Sequence, residues 1–257
     1  MSKLLALLVV LSLVATVVLN GLSNGTLVPG RTIGGVSNTY DTLFAPAGLT
    51  FAIWGVIYLA LTAFVVYQAI QVFGGNVPVW HSGVGWLFVL SCVLNIAWLF
   101  AWLYGYLGLA LLLMLGLLGS LLGIYLMLGT VQATAAERYL VVLPFSIYLA
   151  WICVATIANV AAWLSVGGWT GWGLSAYVWT DVMVVVAALL GVALVWLRRD
   201  AAVGLVVMWA LLGIWLKHAD NGMVAAASLR TLTLAGIALC GVGIMAMLIW
   251  GRRVLPG

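Results

Sequence analysis

Charge is what this sequence lacks most. Only 5% of its 257 residues are charged, with nine Lys and Arg against five Asp and Glu. A soluble domain carries about 25% charged residues, so water is excluded as the solvent for most of this chain. Cysteine is scarce as well. Cys92, Cys153 and Cys240 fall inside apolar stretches and are odd in number, so they read as small buried hydrophobes rather than a disulfide framework. The two histidines, His81 and His218, stand at the edges of apolar stretches and are too few for a metal site. Neither a metal nor a cofactor is expected. The net charge of +4 is small and scattered, which leaves no basic patch to attract nucleic acid.

What is present is apolar: 67% hydrophobic residues and a mean hydropathy of +1.29. Inside a bilayer every backbone polar group must bond within the protein, which leaves only helices or closed barrels. Barrel strands alternate apolar and polar residues in segments of about ten. This chain has long unbroken apolar runs instead, and they predict an all-α integral membrane protein. A span needs about 20 such residues, and eight segments qualify: 4–19, 50–72, 86–104, 108–128, 140–164, 174–197, 202–216 and 232–250. The first also reads as a signal peptide, because Lys3 precedes it and Gly21-Leu22-Ser23 follows as a small-x-small site. Its removal would leave seven spans.

Lys and Arg concentrate on the cytoplasmic side of membrane proteins. With the N-terminus inside, Lys3, Arg138, Arg198, Arg199, Arg252 and Arg253 face inward, and Arg31, Lys217 and Arg230 face outward. That distribution predicts that both termini are cytoplasmic. The only long connection, 20–48, is rich in Gly, Asn, Thr and Ser, and loops of that length often act as lids. The 104–108 stretch, Tyr-Gly-Tyr-Leu-Gly, predicts a tight hairpin between the third and fourth spans.

Among the 14 tryptophans, Trp80, Trp86, Trp163, Trp169, Trp172, Trp196 and Trp250 lie near segment ends, as an interfacial aromatic belt requires. Trp54, Trp98 and Trp151 lie inside their spans. Polar side chains at membrane depth face the bundle or a cavity, and here they are few: Asn95, Asn159 and Asp181. Helical spacing groups these residues. Phe51, Trp54 and Tyr58 share one face, as do Asn95, Trp98 and Trp102, while Trp151, Ala155, Asn159 and Trp163 repeat every four residues. Counted at about 1.5 Å per residue, they reach similar depths on different helices. Two readings stay open. Amides can simply bind helices together, or the aromatic faces can line a pocket for a flat apolar ligand. For Asp181 the same choice is between a bond to a neighbouring helix and a place at the pocket mouth.

These residues resemble the tryptophan-rich sensory protein or translocator protein (TspO/MBR) family. The run Pro46-Ala-Gly-Leu-Thr-Phe-Ala-Ile-Trp54-Gly-Val-Ile-Tyr58 is similar to the family's Pro-Pro-Gly-x-x-Phe…Trp-x-x-x-Tyr. Leu94-Asn95-Ile-Ala-Trp98 is similar to Leu-Asn-x-x-Trp, and Trp151-x-x-x-Ala155-Thr156-x-x-Asn159-x-x-x-Trp163 repeats the family spacing. The sequence departs from the family at Ala47, which replaces the second Pro, and at Thr39, where family loops often carry Trp. It also has one residue fewer between Phe51 and Trp54 and a shortened stretch between Leu43 and Pro46.

The resemblance implies a five-helix core over residues 1–165, with about three additional helices in 166–257. It further implies a pocket closed by the first loop and lined by Trp54, Asn95, Trp98, Trp151, Ala155 and Asn159, with Tyr40 in the covering segment 40–43. Phe51 and Tyr58, which share the Trp54 face, are expected in the same lining. The expected function is a multi-pass receptor or carrier for a porphyrin-like, sterol-like or isoprenoid ligand, in a prokaryotic cytoplasmic membrane. The expected partners are that ligand and the bilayer, and homodimerisation stays open. Competing classes are a membrane enzyme that modifies the ligand, such as the porphyrin degradation reported for some bacterial relatives, and a retinal photoreceptor, for which Lys217 is the prompt. The enzyme lacks an embedded His, a Ser–His pair and paired carboxylates. Lys217 sits at a segment edge, where a lysine normally snorkels.

Overall fold

The computed structural model describes residues 2–23, 27–40, 42–219 and 224–251. Among these, eight helices are long and apolar enough to cross a membrane. They are α1 (Ser2–Leu22), α3 (Ile53–Phe73), α4 (His81–Tyr104), α5 (Leu107–Leu128), α7 (Leu143–Val166), α8 (Ala176–Arg198), α9 (Ala201–His218) and α10 (Val224–Gly251). Two short helices complete the set: α2 (Ile33–Thr39) in the first loop and the single turn α6 (Ala135–Glu137) before α7. The all-helical polytopic bundle expected from the apolar runs is therefore present.

Local chemistry sets the ends. Thr32 caps α2 by accepting from the Gly35 N–H, and Ser175 caps α8 through the Val178 N–H. Thr134 and Glu137 form a reciprocal capping box around α6. A π turn over Arg138–Val142 precedes Pro144, which has no N–H to close a regular helical bond. Gly105, at φ 82°, ends α4 in the left-handed region that glycine tolerates best. It turns the chain into α5 almost at once, so the hairpin expected at 104–108 is formed.

The helices of the first part pack in the order α3, α1, α4, α5 and α7, with α7 returning to touch α3. The last three helices pack on one another, and α9 places the trio against α7. One apolar core runs through both parts, from Leu5 and Val9 of α1 to Leu229 and Cys240 of α10. A knot of rings, Phe64, Phe88 and Phe145, fills its centre with centroids 4.8–5.9 Å apart. Alternating helix directions put the first loop at one end of the bundle. The start of α1 and the end of α10 lie at the other.

Candidate functional site

Beneath the first loop, α3, α4 and α7 enclose a cavity of about 40 Å³. Phe51 enters from the short 3₁₀ turn Gly48–Ala52, Trp54 from α3, Trp98 and Trp102 from α4, and Trp151, Ala155 and Asn159 from α7. The loop adds Ile33, Ser37, Thr42, Ala45 and Pro46. The walls are aromatic edges and faces in contact. Phe51 and Trp54 meet Trp151 edge-on at 6.0 and 6.4 Å, and Trp98 stacks on Trp102 at 5.8 Å. Among the described residues no carboxylate, imidazole, ammonium or guanidinium lines the space.

Two polar arrangements are built into these walls. The Trp98 indole N–H donates to Asn159 Oδ1 at 3.0 Å, while Asn159 Nδ2 donates back to the Ala155 carbonyl at 2.8 Å. That fixes the Trp98 ring and engages both ends of the amide. Trp151 differs. Its Nε1 is buried and has no hydrogen-bond partner, and the Tyr58 hydroxyl is buried and unpaired as well. Trp54 lies between them, stacked on Tyr58 at 5.5 Å and edge-on to Trp151.

Six of the nine residues singled out from the sequence thus line one cavity: Phe51, Trp54, Trp98, Trp151, Ala155 and Asn159. The other three lie nearby but not in its wall. Tyr58 faces a second, wider groove of about 690 Å³ between α1 and α3, which shares Ile33, Phe51 and Trp54 with the cavity. Tyr40 packs edge-on against Trp102 at 5.9 Å. Asn95 is fully buried. It accepts from Asn20 Nδ2 at 2.9 Å and donates to the Tyr148 hydroxyl at 3.2 Å, joining α1, α4 and α7. Asp181 accepts from the Ser228 hydroxyl at 2.8 Å and so links α8 to α10, away from the cavity wall. Trp102 belongs to the site and was visible in the Asn95–Trp98–Trp102 stripe.

The covering loop is tied down at two places. Arg31 donates to the Leu103 carbonyl at 2.8 Å and Trp102 donates to the Ile33 carbonyl at 3.2 Å, which holds the first half on the end of α4. The second half, 42–52, is held by α9. Lys217 donates to the Thr42 carbonyl at 2.8 Å, and a His218 ring nitrogen lies 2.9 Å from the Leu43 carbonyl. The Ala47 N–H donates to the Gly213 carbonyl at 3.0 Å, and the Trp209 indole donates to the Thr50 carbonyl at 2.9 Å. Gly213 is required there, because a Cβ would overlap the Thr50 hydroxyl. The edge lysine thus anchors the covering loop. Asp41 of the covering segment and Asp220, which follows α9, lie outside the described residues.

Eight apolar spans and an aromatic cavity under a latched loop define a polytopic helical membrane protein with an intrabundle pocket. The chain belongs to the TSPO-like protein family, whose model matches residues 6–249. The match, expected over 1–165, runs through the three added helices as well. No curated protein and no solved structure matches the chain.

Proposed function

We propose that the protein is a receptor or carrier for a flat, largely apolar ligand of the tetrapyrrole, sterol or isoprenoid class. The ligand lies between the indoles of Trp54, Trp98 and Trp151, beneath the 42–52 lid. The unpaired Trp151 N–H carries this reading. Buried polar groups in folded proteins are nearly all bonded, and an orphan donor costs about 1–3 kcal/mol. A ligand with a carbonyl, carboxylate or hydroxyl oxygen removes that cost, while its flat face packs on the rings.

At about 40 Å³ the cavity is too small for such a molecule. Phe51 and Trp54 line both it and the 690 Å³ groove. Displacing those two rings merges the spaces into one within the usual range of about 300–1,000 Å³ for small-molecule sites. Among the described residues the lining offers the hydroxyls of Ser37 and Thr42 but no general base to activate them, which favours binding over turnover.

The test is titration of protoporphyrin IX and of a sterol into the purified protein in nanodiscs. Trp151→Phe keeps the ring and removes the N–H, and porphyrin affinity should fall about tenfold, the equivalent of about 1.4 kcal/mol. Trp54→Ala should weaken both ligands. Wild-type affinity in both variants, or no saturable binding by the wild type, would overturn the proposal.

A further inference from the structure

At the end of the bundle away from the lid, the first five spans and the added three draw apart around a cleft of about 710 Å³. Three arginines border it. Arg138 begins the π turn ahead of α7, and Arg198 and Arg199 end α8. Arg199 sits in the left-handed region at φ 52°. That conformation reverses the chain into α9 within two residues and sets adjacent arginines at the cleft.

The carboxylates near these arginines are committed elsewhere. Asp200 caps α9 through the Ala202 N–H at 3.1 Å and accepts from the Tyr125 hydroxyl at 3.1 Å. Glu137, beside Arg138 in sequence, accepts from the Trp80 indole at 2.7 Å and from Thr134. Arg198 is held in place, with its guanidinium 4.9 Å from the centre of the Tyr125 ring and donating to the Tyr125 carbonyl at 3.2 Å. The cleft therefore has three guanidinium groups against the single carboxylate of Asp200. Its remaining walls are largely apolar, with Val142 and Leu143 on one side and Leu197, Met247 and Leu248 on the other, while Tyr125, Tyr139 and Ser146 add hydroxyl groups.

The geometry points to a binding site for an anionic phospholipid in the leaflet this end borders. A phosphodiester supplies the acceptors that guanidinium groups bond most strongly. The acyl chains continue along the apolar walls toward the bilayer. Basic pockets between membrane helices recognise such headgroups. A zwitterionic lipid offers the same phosphate but carries a balancing cation, which the excess positive charge repels. Phosphatidylglycerol is therefore preferred over phosphatidylcholine.

Thermal unfolding of the delipidated full chain, titrated with dioleoyl phosphatidylglycerol or dioleoyl phosphatidylcholine, tests this. The anionic lipid should raise the melting temperature saturably and the zwitterionic lipid should not, with the difference shrinking as salt is added. The double variant Arg138→Gln, Arg199→Gln leaves the Arg198–Tyr125 contact intact and should lose at least tenfold in apparent affinity for phosphatidylglycerol. Lys3→Gln removes a charge that does not border the cleft and should behave as wild type. Equal stabilisation of the wild type by both lipids overturns the proposal, whether or not the variants fold. Retained preference in the double variant, or the same effect from inorganic phosphate alone, overturns it as well.

Discussion

Two buried asparagines look alike in the sequence and do different work in the fold. Asn159 holds the Trp98 ring in the cavity wall, whereas Asn95 bridges Asn20 and Tyr148 across three helices. Spacing placed both on aromatic faces but could not separate them, because the difference lies in partners 75 and 53 residues away along the chain. Interhelical hydrogen bonds in membranes contribute about 0.6 kcal/mol on average and reach about 1.7. Asn95→Ala removes two of them, so unfolding in denaturing detergent should show a loss of about 1–2 kcal/mol. Porphyrin affinity should stay within a few-fold of wild type. A large affinity loss without destabilisation would return Asn95 to the binding surface.

At the level of elements, the spans were the most legible part of the sequence, since a bilayer leaves few alternatives for a long apolar run. The role of α9 was not legible. Its contacts with the lid join residues some 160–175 apart, and the acceptors are main-chain carbonyls, which carry no sequence signature. Lys217, read from its position at a helix edge, gave no hint that it holds Thr42. Trp209→Phe removes one of these bonds, and Gly213→Val drives a side chain into Thr50. Both should raise amide hydrogen exchange across 42–50, by about tenfold for the first if its bond contributes about 1.4 kcal/mol, and more for the second. Porphyrin release should quicken in step. Unchanged exchange in both variants would mean that α9 does not hold the lid.

For the whole molecule, the distribution of basic residues predicts that the lid end faces outward, with both termini in the cytoplasm. Asn38 is exposed on α2, outside the cavity wall. A cysteine there should react with an impermeant maleimide added to intact cells, and labelling seen only after lysis would reverse the orientation. A consequence of the latch bears on how such a molecule diversifies. Among the described residues, the hydrogen bonds from α9 to residues 42–50 end on the covering loop's main chain: the carbonyls of Thr42, Leu43 and Thr50 and the N–H of Ala47. The lid side chains Thr42, Ala45 and Pro46 take no part in these bonds and help form the cavity wall instead. Under the proposed binding role, closure and selectivity are written in separate alphabets. Substitutions at Thr42 and Ala45 would then retune which molecule is accepted without loosening the cover, and ligand preference would be free to drift while the cover stays the same.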